Sequence, residues 1–166
     1  MPITMIIRDE SASDVKAIRH VVESAFGRTA EADLVDRLRA DGDAVISLIA
    51  VDDDRVVGHV LFSKMVAQFP ALGLAPVSVA PAHQRLGVGR QLVGAGIERA
   101  ARTGWACVFV LGDPAYYTRF GFDAALASGF KSPYAGPHFM ALPLGPNLPA
   151  TTGVVEYAPA FKGIGS

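Results

Sequence analysis

The stretch Val77-Ser78-Val79-Ala80-Pro81-Ala82-His83-Gln84-Arg85-Leu86-Gly87-Val88-Gly89-Arg90 reads as a strand, a tight turn and the start of a helix. Gly87 and Gly89 remove two β-carbons where a ligand could approach the backbone. A helix start leaves several N–H groups without an intrahelical acceptor, and the aligned peptide dipoles add partial positive charge there. Together these suit a pyrophosphate, with Arg85 and Arg90 supplying mobile positive charge at the rim. Two other phosphate cradles do not fit. The turn lacks the third glycine of a dinucleotide-binding G-x-G-x-x-G and the acidic residue that accompanies it. No Gly-Lys-Ser/Thr follows, as a P-loop requires. Two glycines in a strand-to-helix turn also recur by chance, so the turn gains weight only from what surrounds it.

Downstream, Val88, Leu92, Val93, Ile97 and Ala100 form one face of a helix predicted over 84–103, with Arg90, Glu98 and Arg102 largely off it and Gly104 past its end. The run 106–111 is apolar without alternation, the pattern of a strand buried on both faces. Residues 114–120 read as a short helix with Pro114 in its first turn, and 138–144 as a strand. Upstream of the turn, a strand is expected over 73–80, and a hairpin joins 44–51 to 56–62 through Asp52-Asp53-Asp54. Before it, Ser11 and Asp14 suggest a capping box, followed by Val15, Ile18, Val21, Val22 and Phe26 at helical spacing. Gly27 closes that helix. Thr29 caps a second one with Leu34, Val35 and Leu38 as its stripe and Gly42 as its stop. A β-prone run over 3–8 opens the chain. The order β-αα-βββ-α-β-α-β is that of a mixed α/β domain with a central sheet.

The chain has 166 residues, which suits one compact domain. Hydrophobic residues make up 51% and charged residues 19%, enough apolar surface for a core. A net charge of −1 argues against non-specific nucleic-acid binding, which needs a basic footprint. It leaves room for a local basic patch around a phosphorylated ligand. The lone Cys107 lies in an apolar run, reads as a small buried hydrophobe, and fits a reducing compartment. No apolar run approaches the about 18 residues of a membrane span, and no signal-peptide core opens the chain. A soluble, cytoplasmic protein is expected, with no membrane partner and no metal.

Gln84-x-x-Gly87-x-Gly89 matches the Q/R-x-x-G-x-G/A signature of the GNAT N-acetyltransferases, and the chain resembles that family. The segment 77–81 looks like the family's fourth strand, and 116–122 (YYTRFGF) is similar to its later FYEKLGF-type segment. LGDPAYYTRFGF is closest to a bacterial subgroup of acetyltransferases. Two motifs in the right order are more specific than either alone, and the element order agrees over 3–144.

The resemblance implies an α/β fold: a mixed, mostly antiparallel central sheet with splayed middle strands, flanked by helices. It implies an N-acetyltransferase domain over 1–145. Strand 74–80 would part from 106–111, which Pro76 and Pro81 favour by removing ladder donors. Acetyl-CoA, the implied co-substrate, would lie in the gap with its pantetheine arm on the backbone of Val77 and Val79. Gln84, Arg85, Leu86, Gly87, Val88, Gly89, Arg90 and Tyr116 would hold the rest of it. A backbone N–H near Val79 would stabilise the oxyanion. Tyr117 falls on the family position that protonates the CoA thiolate, although Tyr116 could exchange roles with it. The acceptor would be a small-molecule or peptide amine.

Other assignments stay open in the sequence. Glu31, His59, Asp113 and His138 are all candidates for a general base. Each also has a plainer role: dipole complement, structural histidine, helix cap and pocket lining. The acceptor pocket is expected from 26–33 and 123–138, with Phe26, Phe130 and Tyr134 as its aromatics. The stretch 146–166, with Pro146, Pro149 and Pro159, lies beyond the family pattern. Its Val154, Val155, Tyr157 and Phe161 would pack on the same domain or on a second subunit of a homodimer. A CoA-binding module without catalysis is the main functional alternative, and a domain for another phosphorylated ligand is a second.

Overall fold

A computed structural model describes residues 5–163; Ile3 and Thr4 of the expected first strand lie outside them. The elements in chain order are β1 (Met5–Asp9), α1 (Val15–Phe26), α2 (Ala30–Ala40), β2 (Ala44–Asp52), β3 (Arg55–Lys64) and β4 (Ala71–Val79). There follow α3 (Val88–Arg102), β5 (Cys107–Leu111), α4 (Pro114–Tyr117), α5 (Ala124–Ala127), β6 (Phe130–Lys131), β7 (Phe139–Pro143) and β8 (Gly153–Val154). One sheet runs β1-β2-β3-β4-β5-β7. Every pairing in it is antiparallel except β4 with β5.

Side chains alternate between two cores, as strand geometry demands. Leu48, Val60, Val108 and Met140 join Val88, Leu92 and Val93 of α3 on one face. Ile49, Leu61, Phe109 and Ala141 join Ile18 and Val22 of α1 and Leu34 and Leu38 of α2 on the other. Val155, Tyr157, Ala158, Ala160 and Phe161 are buried in that second core. β8 pairs with the short β6, and Val66 bridges to Glu156.

Pairing between β4 and β5 covers only Ala71–Gly73 against Cys107–Phe109, after which the strands diverge. A bulge supplies the cause. Val60 faces Val77 and Phe62 faces Leu74, so two steps along β3 match three along β4. The extra residue bends the strand locally, and Pro76 within it has no N–H to give to a neighbour.

Local capping departs from expectation in two places. The Ser11 N–H does donate to Asp14 Oδ2, at 2.7 Å, and Arg8 clamps the same carboxylate. Thr29 holds the N-cap position of α2, but its side chain caps nothing. The third helix starts at Val88, four residues later than predicted, because Arg85 (φ 66°) and Gly87 (φ 85°) are left-handed and cannot be part of a right-handed helix.

A polar cluster is buried on the α1/α2 face. His59 Nε2 lies 2.8 Å from Ser47 Oγ. The single hydroxyl proton of Ser47 goes to Glu10, which Arg39 clamps at 2.9 and 3.0 Å. His59 must therefore donate through Nε2, leaving Nδ1 an unpaired buried acceptor. Burial pushes this imidazole down to about 4.

A β-carbon on Gly96 of α3 would sit 2.1 Å from the Phe62 ring. Gly96→Ala should therefore destabilise the fold by about 1–3 kcal/mol, although Gly→Ala within a helix usually stabilises by about 1 kcal/mol; urea unfolding reads the sign. For His59, the unfolded chain takes up a proton near 6.5 and the folded chain only near 4. Between these values the unfolded state holds more protons, so stability falls as pH falls, by up to about 1.4 kcal/mol per unit. His59→Gln should start less stable at neutral pH and lose that slope; a slope kept in the variant would place the titration elsewhere.

Candidate active site

The turn after β4 is pinned before the helix begins. Gln84 donates its side-chain amide to the Val79 carbonyl at 3.0 Å. The first backbone bond after Gln84 is Gln91 N–H to the Gly87 carbonyl. Among the described residues, the amides of Arg85 through Arg90 thus donate to no backbone carbonyl: six consecutive free donors at the positive end of α3. The two glycines do different work. Gly87 supplies its left-handed φ and has open space where a β-carbon would stand. Gly89 makes room, since a β-carbon there would lie 3.3 Å from the Tyr116 hydroxyl.

Arg85 and Gly87 to Arg90 line a cleft of about 390 Å³ together with Tyr116 and Arg119, whereas Leu86, expected at the site, is exposed and does not line it. Cations around a set of free N–H groups make an anion site. Arg119 was not among the expected residues. Its signal was the i,i+3 spacing from Tyr116 in YYTRF, which puts both on one side of α4 and the turn that follows it.

β4 carries the site onward. The Ala80 N–H donates to the Val57 carbonyl, so Ala80 and Ser78 direct their backbone groups toward β3. By the same alternation Val77 and Val79 direct theirs into the gap beside β5. The Val79 carbonyl reached by Gln84 is consistent with that orientation. The resulting open edge starts where the cleft of α3 ends.

A second cleft of about 400 Å³ lies across the edge, with Phe26, Leu34, Pro76, Val77 and Leu111 among its walls. Tyr117 lines this cleft and Tyr116 the first, because neighbours on a helix diverge by about 100°. The Tyr117 ring packs against Gly112, where a β-carbon would come within 2.5 Å, and edge-on against Phe122. Burial, with Tyr116 adding to it, pushes the Tyr117 phenol up to about 12.

The four base candidates separate. Glu31 lines the second cleft, but its hydrogen bonds from Arg28 hold its carboxyl below the usual range. His59 is buried and lines neither cleft. Asp113 accepts from the Ala115 N–H as the cap of α4. His138 is exposed, with Nδ1 3.2 Å from the Gly112 carbonyl, and lines neither cleft. Of the three aromatics expected to line an acceptor pocket, Phe26 lines this second cleft. Phe130 is buried edge-on against Phe109, and Tyr134 packs on Tyr157. Arg28 and Phe161 complete the cleft without having been singled out in the sequence, Phe161 because nothing local shows where an extension folds back.

Known proteins share this arrangement. The acetyltransferase (GNAT) family model matches residues 15–122. The uncharacterized N-acetyltransferase YhbS of Escherichia coli is 37% identical over 165 residues, spanning 95% of this chain and 99% of its own. The crystal structure of YhbS in complex with CoA superimposes with a TM-score of 0.92 at 35% identity, covering 99% of this chain and 96% of that one. A GNAT family acetyltransferase from Brucella melitensis, in complex with acetyl-CoA, gives a TM-score of 0.82 at 36% identity, covering 95% of this chain and 97% of its own. Among the described residues no helix is long and apolar enough to cross a membrane. The pinned turn, the parted strands and these likenesses agree, and the chain belongs to the GNAT family of acetyltransferases.

Proposed function

We propose that the chain transfers the acetyl group of acetyl-CoA to a primary amine by direct attack, with Tyr117 as the general acid. The six consecutive free amides leading onto an open β4 edge carry this reading. They match a ligand with a diphosphate at one end and an amide-bearing arm at the other. Acetyl-CoA supplies the thioester.

The amides from Arg85 to Arg90 bind the diphosphate, with Gly87 and Gly89 keeping the approach clear and Arg90 and Arg119 neutralising its charge. Val77 and Val79 pair with the pantetheine arm through their gap-facing backbone groups. The Val79 N–H stabilises negative charge that develops on the thioester oxygen as the amine attacks. Tyr117 gives its proton to the departing sulfur. A phenol held at about 12 stays protonated through the neutral range, as an acid for this step must. No carboxylate or imidazole is assigned as base: the hydrogen bonds from Arg28 lower the proton affinity of Glu31 and occupy its oxygens, and the other candidates lie off the cleft. The amine proton leaves through water in the open acceptor cleft.

Gly89→Glu tests the cradle without left-handed strain, since an acid in the first turn of a helix favours the helix. Acetyl-CoA should raise the unfolding temperature of the wild type, and Gly89→Glu should weaken binding about 100-fold through like-charge repulsion with the diphosphate. Tyr117→Phe should keep acetyl-CoA affinity and lose about 100-fold in kcat. With burial holding the phenol at about 12, kcat/KM should show no alkaline inflection from Tyr117 below about pH 11. Full turnover in Tyr117→Phe would remove the acid assignment. Acetyl-CoA binding without acetylation of any amine would favour a sensor over an enzyme.

A further inference from the structure

The acceptor cleft has three ionisable side chains in its lining: Arg28, Glu31 and Tyr117. Tyr117 serves the thiolate, so orientation of the acceptor falls to the other two. They are unequally placed. The side chain of Glu31 is 8% exposed and that of Arg28 is 61% exposed. Arg28 Nε lies 2.9 and 3.2 Å from the two carboxylate oxygens of Glu31, and Nη2 also donates to Oε2. Among the described residues Nη1 donates to nothing. The buried carboxylate is the fixed partner: it holds the guanidinium by its Nε and Nη2, and Arg28 itself lines the cleft.

We infer that Arg28, oriented by Glu31, reads a carboxylate on the acceptor, and that the acceptor is an amino acid with an apolar side chain and a free carboxyl group. The inference rests on the transferase function proposed above. A guanidinium fixed by one edge offers the N–H donors of its free nitrogen for a charge-assisted bond to an anion, with little further ordering to lose. A simple amine gains nothing from that group. Its cation would need Glu31, whose hydrogen-bonding capacity Arg28 already occupies, and taking Arg28 away would leave a buried charge unpaired. Among the described residues no other acid lines the cleft. The remaining walls, among them Phe26, Leu34, Pro76, Leu111 and Phe161, suit hydrocarbon. Glu31 is a positioning residue here, and Arg28 a specificity-determining one.

The test compares amino acids with their decarboxylated twins, leucine against 3-methylbutylamine and phenylalanine against phenethylamine, each with acetyl-CoA. The wild type should favour the amino acid of each pair in kcat/KM. In Arg28→Ala that preference should fall about 10- to 100-fold, the worth of one hydrogen bond to a charged group. The loss should be mainly in KM, and Arg28→Lys should restore part of it. The temperature rise with acetyl-CoA should persist in Arg28→Ala, because Arg28 does not line the cleft of the diphosphate, and this shows that the variant is folded. Equal use of the twins, preference for the amine, no acetylation of either amino acid, or an unchanged preference in Arg28→Ala would each overturn the assignment while a persisting acetyl-CoA shift leaves the transferase function standing. A wild type that gives no acetyl-CoA shift would take both down together.

Discussion

The parting of β4 from β5 after Gly73 is the constraint from which the rest of the site follows. Two parallel neighbours in a sheet interior would ordinarily continue their ladder, because each unpaired buried N–H or C=O is costly. Here one extra residue and a proline in β4 end the ladder after three paired residues. The cost falls on the backbone groups of Val77 and on the Val79 N–H, since Gln84 already satisfies the Val79 carbonyl; an open strand edge of this kind accepts an extended partner. The same divergence opens the space on both sides of the edge, so the cleft beside α3 and the cleft beside Phe26 arise from one event.

The helix after β4 shares that logic. α3 buries Leu92 and Val93 against β3 and β4, so its direction is set by packing. Its first turn and the three residues before it together leave six amides without a backbone acceptor where the edge opens. Arg85 in a left-handed conformation is the one local conflict, since a β-carbon there costs about 1–2 kcal/mol. Backbone in such a conformation persists where its surroundings over-determine it, and here Gln84 holds one side of the turn and α3 the other.

The sequence made some of this legible and hid the rest for physical reasons. Local chemistry marked the two glycines and the strand-turn-helix, because turn and helix signals lie within a few residues of each other; Tyr116 and Tyr117 stood out only through the family resemblance. The splay was legible only through family resemblance: Pro76 hints at a broken ladder, yet a one-residue bulge leaves no pattern in composition. The helix boundary slipped because Gln84 and Arg85 are good helix formers, and tertiary geometry overrode their propensity. His59 sits in an alternating strand that could face core or cleft; its burial depends on α1, a partner distant in sequence. Arg28 hid in plain view, since an exposed arginine three residues from a glutamate reads as an ordinary helix pair until the cleft is known.

The stretch after 145 is where sequence was least informative and where the structure ties its parts together. Gly73 is the last residue of β4 to pair with β5, and a β-carbon there would lie 2.6 Å from the Tyr157 ring. The ring occupies that space, so the sheet at its branch point is covered by a residue from far along the chain. Tyr157 in turn packs against Phe161, at 5.0 Å between ring centroids, and Phe161 lines the acceptor cleft. The branch point and the acceptor wall are thereby one packed unit. A change in how the extension folds would move both together.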